Sequence, residues 1–181
     1  MDVKDILYSA IDNYKEYRIV SDIAQGTSSE TLNAICNECI PLLEKLEGNK
    51  SENLISFAES FIHYLLTVAL IPSQRKTTHA GIEIDVVIPD VTTLVSSPQD
   101  AIIITFQKTN DYQFVQKQVA ELTKIQPHKD NIWVVLENAL SLEARVYIIN
   151  QNEKTRFANI INDMIGFLSN KKQSKLKLFR I

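Results

Sequence analysis

Four glycines stand in 181 residues, Gly26, Gly48, Gly81 and Gly166, and no two are near each other. A phosphate-cradling loop needs closely spaced glycines so that backbone amides can approach the anion, so P-loop and dinucleotide-binding readings are set aside. No serine lies in a GxSxG elbow, which removes the strained nucleophile turn of hydrolases. Cysteine is almost as scarce: Cys36 and Cys39 are too few for a disulfide framework and too close to close a useful loop, which fits a reducing compartment. Their CxxC has half the spacing of a zinc or redox site, yet no second pair exists and His63, His79 and His128 are scattered, so both cysteines are read as core. No uncharged apolar run reaches about 18 residues, and the first residues lack the basic start and apolar block of a secretory signal. The expectation is a cytoplasmic protein with no membrane span. A formal net charge of -3 argues against coating nucleic acid by bulk positive charge, so any such contact must be local.

What is present is a chain with 45% hydrophobic residues, enough for one compact core. Val3, Ile6, Leu7, Ala10, Ile11 and Tyr14 recur at helical spacing and predict a first helix from Asp2 to Arg18. Thr27 with Glu30 has the form of a capping box opening a second helix, whose stripe is Leu32, Ile35, Cys36, Cys39 and Leu43, with a kink or restart at Pro41 and an end at Gly48. A third helix, Ser51 to Leu70, is apolar on more than one face and is expected to be central, with His63 a satisfied core histidine. After Pro72 the pattern turns to short runs rich in β-branched residues. Strands are expected at Gly81–Ile88, Ala101–Phe106, Asn131–Leu136 and Arg145–Ile149, with a helix over Tyr112–Ile125 and another from Phe157 to Leu168. A last short strand at Leu176, Leu178 and Phe179 is a further expectation. The order describes an α/β domain, with residues 1–50 a helical extension packed on a core of residues 51–181 that ends in a basic tail.

Two runs can carry chemistry. In Gly81-Ile82-Glu83-Ile84-Asp85 the alternation of strand side chains puts Glu83 and Asp85 on one side, and in Thr105-Phe106-Gln107-Lys108 it puts Phe106 and Lys108 on one side. Two carboxylates and a lysine are what phosphodiester hydrolysis uses: the carboxylates hold Mg²⁺, and the lysine positions water or stabilises charge.

The order and spacing of these runs resemble the PD-(D/E)xK, or restriction-endonuclease-like, nuclease superfamily. That resemblance implies a mixed sheet flanked by helices, with Asp85 the metal-binding aspartate, Lys108 the catalytic lysine and Glu59 the additional glutamate of some members. Gln118 is similar to the glutamine of the RecB-type subgroup, although Leu122 stands where that subgroup has tyrosine. The departure is Phe106, at the position of the second metal-binding carboxylate, because phenylalanine cannot ligate a metal. Three readings follow: Glu83 or Glu59 supplies the missing oxygen, Pro89-Asp90 is the motif in another register, or the site is dead and the fold survives as a scaffold.

Two basic features complete the inventory, the segment containing Arg75 and Lys76 and the tail containing Lys171, Lys172 and Lys175. Either can contact phosphates, and either can be a solvated surface. The functional expectation is a nuclease-fold protein with a degenerate metal site that binds nucleic acid or a protein partner. The alternatives are an active Mg²⁺-dependent nuclease with a relocated carboxylate, and a structural interaction or dimerisation domain.

Overall fold

A computed structural model describes residues 1–149 and 156–178, without the side chains of residues 156 and 172–178. Four helices come first: α1 (Val3–Tyr14), α2 (Glu16–Gln25), α3 (Ser28–Leu43) and α4 (Lys50–Val68). They are followed by β1 (Gln74–His79), β2 (Ile82–Ile88), the short α5 (Val91–Ser96), β3 (Ile102–Phe106), α6 (Tyr112–Thr123), β4 (Ile132–Leu136), β5 (Arg145–Ile148) and α7 (Ile160–Leu178).

The sheet runs in the order β1-β2-β3-β4-β5. β1, β2 and β3 pair antiparallel, whereas β3, β4 and β5 pair parallel. β3 is therefore the strand at which the sheet changes direction, and all five of its residues are buried, as expected of a strand covered on both faces. Alternate residues of β3 and β4 feed two cores. Ile102, Ile104, Phe106, Trp133 and Val135 pack with α1, α3, α4 and α7, and Ile103, Ile132, Val134 and Leu136 pack with Leu94 of α5 and Val115, Val119 and Leu122 of α6.

The helical face carries more of the burial. Phe57, Phe61, Ile62 and Leu65 of α4 are fully buried, and the Phe61 ring lies 5.6 Å from Phe57 and 6.3 Å from Phe157 between ring centres. Such apolar coverage around one helix makes it the axis of the layer. Its N-terminus is held by Asn49, whose side chain accepts from the amides of Ser51 and Glu52. Cys36 and Cys39 are buried on α3 and unpaired with each other, as their apolar stripe requires. Burial pushes both thiols up, Cys39 to about 12, which leaves them protonated and chemically quiet.

Several local expectations are corrected. The first helix is broken at Lys15, which has φ +66°, so that α2 changes direction and delivers Ile19 and Ile23 to the core. No glycine or proline marks the break, and hydrophobic spacing alone runs through it. The capping box at Thr27 does not form: the Thr27 hydroxyl donates to Asp22 O at 3.4 Å, and Gly26 ends α2 in a left-handed conformation. α3 passes through Pro41 and stops at Leu43, well before Gly48. α7 runs to Leu178, so Leu176 and Leu178 are helical instead of forming a strand, while Phe179 lies outside the described residues. β1 is an additional strand. Gln-Arg-Lys-Thr-Thr-His has no apolar residue to reveal a period of two, because an edge strand covered by neither core needs none. Among the described residues, no helix is long and apolar enough to cross a membrane.

Leu7 of α1 is fully buried in the same cluster as α4. Leu7→Ala should cost about 3 kcal/mol, in the range for a large-to-small core change, and urea unfolding should remain a single transition. A separate early transition, or a loss under about 0.5 kcal/mol, would show that α1 is not part of the cooperative core.

Candidate functional site

β2 and β3 part company at Asp85. Their ladder pairs Ile88 with Ile102, Val87 with Ile103 and Val86 with Ile104, and ends there. Beyond it the Asp85 carboxylate takes over the role of a strand. Oδ2 accepts from the backbone N–H of Phe106 at 3.0 Å and from the Thr105 hydroxyl at 3.1 Å. Thr105 in turn accepts from the side-chain amide of Gln107 at 2.8 Å, and both Thr105 and Gln107 are buried. A buried hydroxyl and amide without partners would each cost about 1–3 kcal/mol, and the chain Gln107 to Thr105 to Asp85 meets that demand.

The other oxygen of Asp85 faces β1. Oδ1 accepts from Lys76 Nζ at 2.8 Å, and the same Nζ lies 2.8 Å from Glu59 Oε1 on α4. Of Glu59, Asp85 and Lys108, which the resemblance implies form one site, Glu59 and Asp85 are joined through one ammonium, that of Lys76. Burial pulls the Lys76 pKa down, but hydrogen bonds to Asp85 and Glu59 and their two negative charges outweigh it, so the group stands above its ordinary value and stays charged.

The backbone bends to make this contact. Lys76 has φ +47°, a conformation L residues rarely adopt, and the β1–β2 register skips from Arg75↔Val86 to Thr77↔Ile84. The pleat of β2 loses a step at the same point: Ile82 and Ile84 pack on the α6 side, whereas Val86 and Ile88 pack on the α4 side. Strict alternation does not survive across this point.

That slip sets the cross-strand register. The β3 side chains that meet Asp85 or extend its network are Thr105 and Gln107, whereas Phe106 turns the other way into the core with α4. Lys108 lies two residues past the end of β3 and is exposed; Ser51 donates to its carbonyl at 3.5 Å, and its side chain has no partner among the described residues. Glu83 is exposed on β2 opposite Thr78. Asp90 caps α5 by accepting from the amide of Thr93 at 2.7 Å. Arg75 is exposed on β1, and Gln118 is exposed on α6, across the sheet from α4. Lys171 pairs with Asp100 at 3.4 Å and lies over the Phe167 ring, beside a cleft of about 400 Å³ between the end of α4 and α7. Lys172 and Lys175 follow on α7.

The donors at Asp85 do not fit a divalent metal as they stand. Asp85 and Glu59 already share a cation, the neighbouring β3 side chains are neutral, and among the described residues no three His, Cys, Asp or Glu side chains converge.

One turn beyond Glu59, His63 differs from the satisfied core histidine that its helix suggests. It is half-buried and its Nε2 is buried without a hydrogen-bond partner. Thr105, Gln107 and the pairing of Lys76 are the site features that sequence reasoning missed. The signal available was a threonine and a glutamine two apart at the end of an otherwise apolar run, which share a face and need polar partners.

No family model matches the chain, and no curated protein matches it. It is similar to the solved structure of the restriction endonuclease PspGI in complex with its substrate DNA, over 94% of this chain and 94% of that one, with a TM-score of 0.54 and 14% sequence identity. The chain therefore has the restriction-endonuclease-like fold, with a mixed five-stranded sheet between helices.

Burial lowers the pKa of His63, and the positive charges of Arg75 and Lys76 lower it further against the opposing pull of Glu59 and Asp85. A depressed histidine means that the unfolded chain takes up the proton first, so stability is full above the ordinary value of 6.5 and falls as pH drops below it. Chemical denaturation at about pH 7.5 and about pH 5.5 should show this loss, and His63→Gln should reduce it. An equal loss in both proteins would remove His63 as its source.

Proposed function

We propose that this protein is a nuclease-fold module that binds nucleic acid without cleaving it, its hydrolytic site having been replaced by an internally paired one. The observation that carries the reading is the set of neighbours of Asp85. A metal-dependent hydrolytic site needs further acidic oxygens beside that aspartate and a free lysine near the reacting phosphate. Here the hydroxyl of Thr105 and the amide of Gln107 stand beside Asp85, and the lysine at hand, Lys76, is bound to both carboxylates.

Binding is a separate matter from cleavage. Asp85 and its partners lie at the end of β3, where the sheet changes from antiparallel to parallel pairing. Arg75 is an exposed cation on the same edge of the sheet as Lys76, and Lys108 is an exposed cation just beyond β3. Local cations of this kind bind phosphates even when the whole chain is net acidic. The similar PspGI structure was solved with DNA, which supports nucleic acid as the class of partner.

The test is fluorescence anisotropy with labelled duplex DNA and single-stranded RNA over a salt series, beside a cleavage assay in Mg²⁺. Binding that weakens with salt, with no cleaved product, is expected. Arg75→Ala should weaken binding on all sequences and lower the salt slope by about one, the signature of a lost phosphate contact. Truncation of the tail after Leu168 is the parallel test for Lys171, Lys172 and Lys175. Mg²⁺-dependent cleavage lost in Asp85→Ala would favour an active nuclease, and failure to bind either nucleic acid at low salt would favour a protein partner or a homodimer.

A further inference from the structure

We propose that Lys76 is a built-in cation that stands in for a metal ion, and that removing its charge turns the Glu59–Asp85 pair into a binding site for one hard divalent cation. The inference deepens the reading of the site as an internally paired one and rests on it.

Two carboxylates each lie 2.8 Å from the Lys76 ammonium. Asp85 is fixed through its other oxygen by the Phe106 amide and the Thr105 hydroxyl, the second of these held by Gln107. Glu59 projects from α4, whose neighbours Phe57, Ala58, Phe61 and Ile62 are fully buried, so the helix cannot shift to separate the charges. The side chains of Glu59 and Asp85 are 19% and 26% exposed, too little for water alone to screen them well. Among the charged groups that act on the neighbouring His63, Arg75 is the other cation besides Lys76, and it is exposed to solvent.

The backbone at Lys76 gives an independent sign that this position is built around the contact. A lysine at φ +47° in an edge strand, opposite a missing pair in the ladder, is a conformation that surrounding interactions must hold. The two ion pairs are interactions of that kind.

Loss of the ammonium leaves two carboxylates of like charge, that of Asp85 still held by Thr105 and Phe106, facing a gap that opens to solvent, since the Lys76 side chain is 61% exposed. Hard oxygen donors with room for water select Mg²⁺ or Mn²⁺ over softer ions, and Mn²⁺ gives up its water more readily. The wild type offers no such gap.

The experiment compares the full chain with Lys76→Ala, Lys76→Arg and Lys76→Ala/Asp85→Asn, using Mn²⁺ alone as the probe. Calorimetric titration and thermal unfolding with and without Mn²⁺ are the readouts. The expected result is one Mn²⁺ per chain in Lys76→Ala, bound about tenfold or more tightly than by the wild type, with a rise in Tm on saturation. Lys76→Arg and the double variant should lose that gain. A Lys76→Ala chain that is unfolded in chelator should regain its circular dichroism spectrum on addition of Mn²⁺. The proposal is overturned if the wild type binds Mn²⁺ as tightly as Lys76→Ala, if the folded variant takes up no ion, or if an unfolded variant is not rescued by Mn²⁺. DNA binding and cleavage by the wild type are separate readouts, so failure of the preceding functional reading can be told from failure of this one.

Discussion

The ammonium of Lys76, shared between a helix carboxylate and a strand carboxylate, ties α4, β2 and β1 together at one point. α4 is anchored in the apolar layer, β2 lies inside the sheet, and β1 is an edge strand without apolar residues of its own. An edge strand with no share in either core needs some other reason to stay in register. Its ladder to β2 supplies part of that reason, and the ion pairs at the point where the ladder skips supply the rest. The same contact lets β2 diverge from β3 without leaving a carboxylate unpaired.

Asp85 shows how a polar position inside a sheet is kept satisfied. Both of its oxygens are used, Oδ2 by a backbone amide and a hydroxyl and Oδ1 by the ammonium. Taking away any one partner leaves the others short of a hydrogen bond, and in a half-buried position that costs more than the bond itself contributes. The members of this cluster are structural to one another.

The sequence made the architecture legible wherever burial imposed a period. The unbroken apolar run Ile102-Ile103-Ile104 is a strand covered on both sides, and the α4 stripe is a helix surrounded by core, as the two buried clusters bear out. What escaped was set by single backbone conformations. Lys15 and Lys76 have positive φ without any glycine to announce it, Lys15 at the break between α1 and α2 and Lys76 at the gap in the β1–β2 ladder. Alternation within β3 holds, but alternation cannot say which side of β3 meets Asp85, because the pleat of β2 slips at the residue in question. That the carboxylate on β2 and the glutamate on α4 belong to one site was implied by the family resemblance. The cation between them was not, since Lys76 lay in a segment that reads as a solvated basic stretch.

A double-mutant cycle on Lys76→Met and Asp85→Asn, measured by urea unfolding, tests this arrangement most directly. If the ammonium is the centre of the site, the two losses are strongly non-additive, with a coupling of about 1 kcal/mol or more that persists in high salt as a partly buried pair should. Additive losses, within about 0.3 kcal/mol, would mean that Lys76 and Asp85 do not depend on each other and would contradict the account.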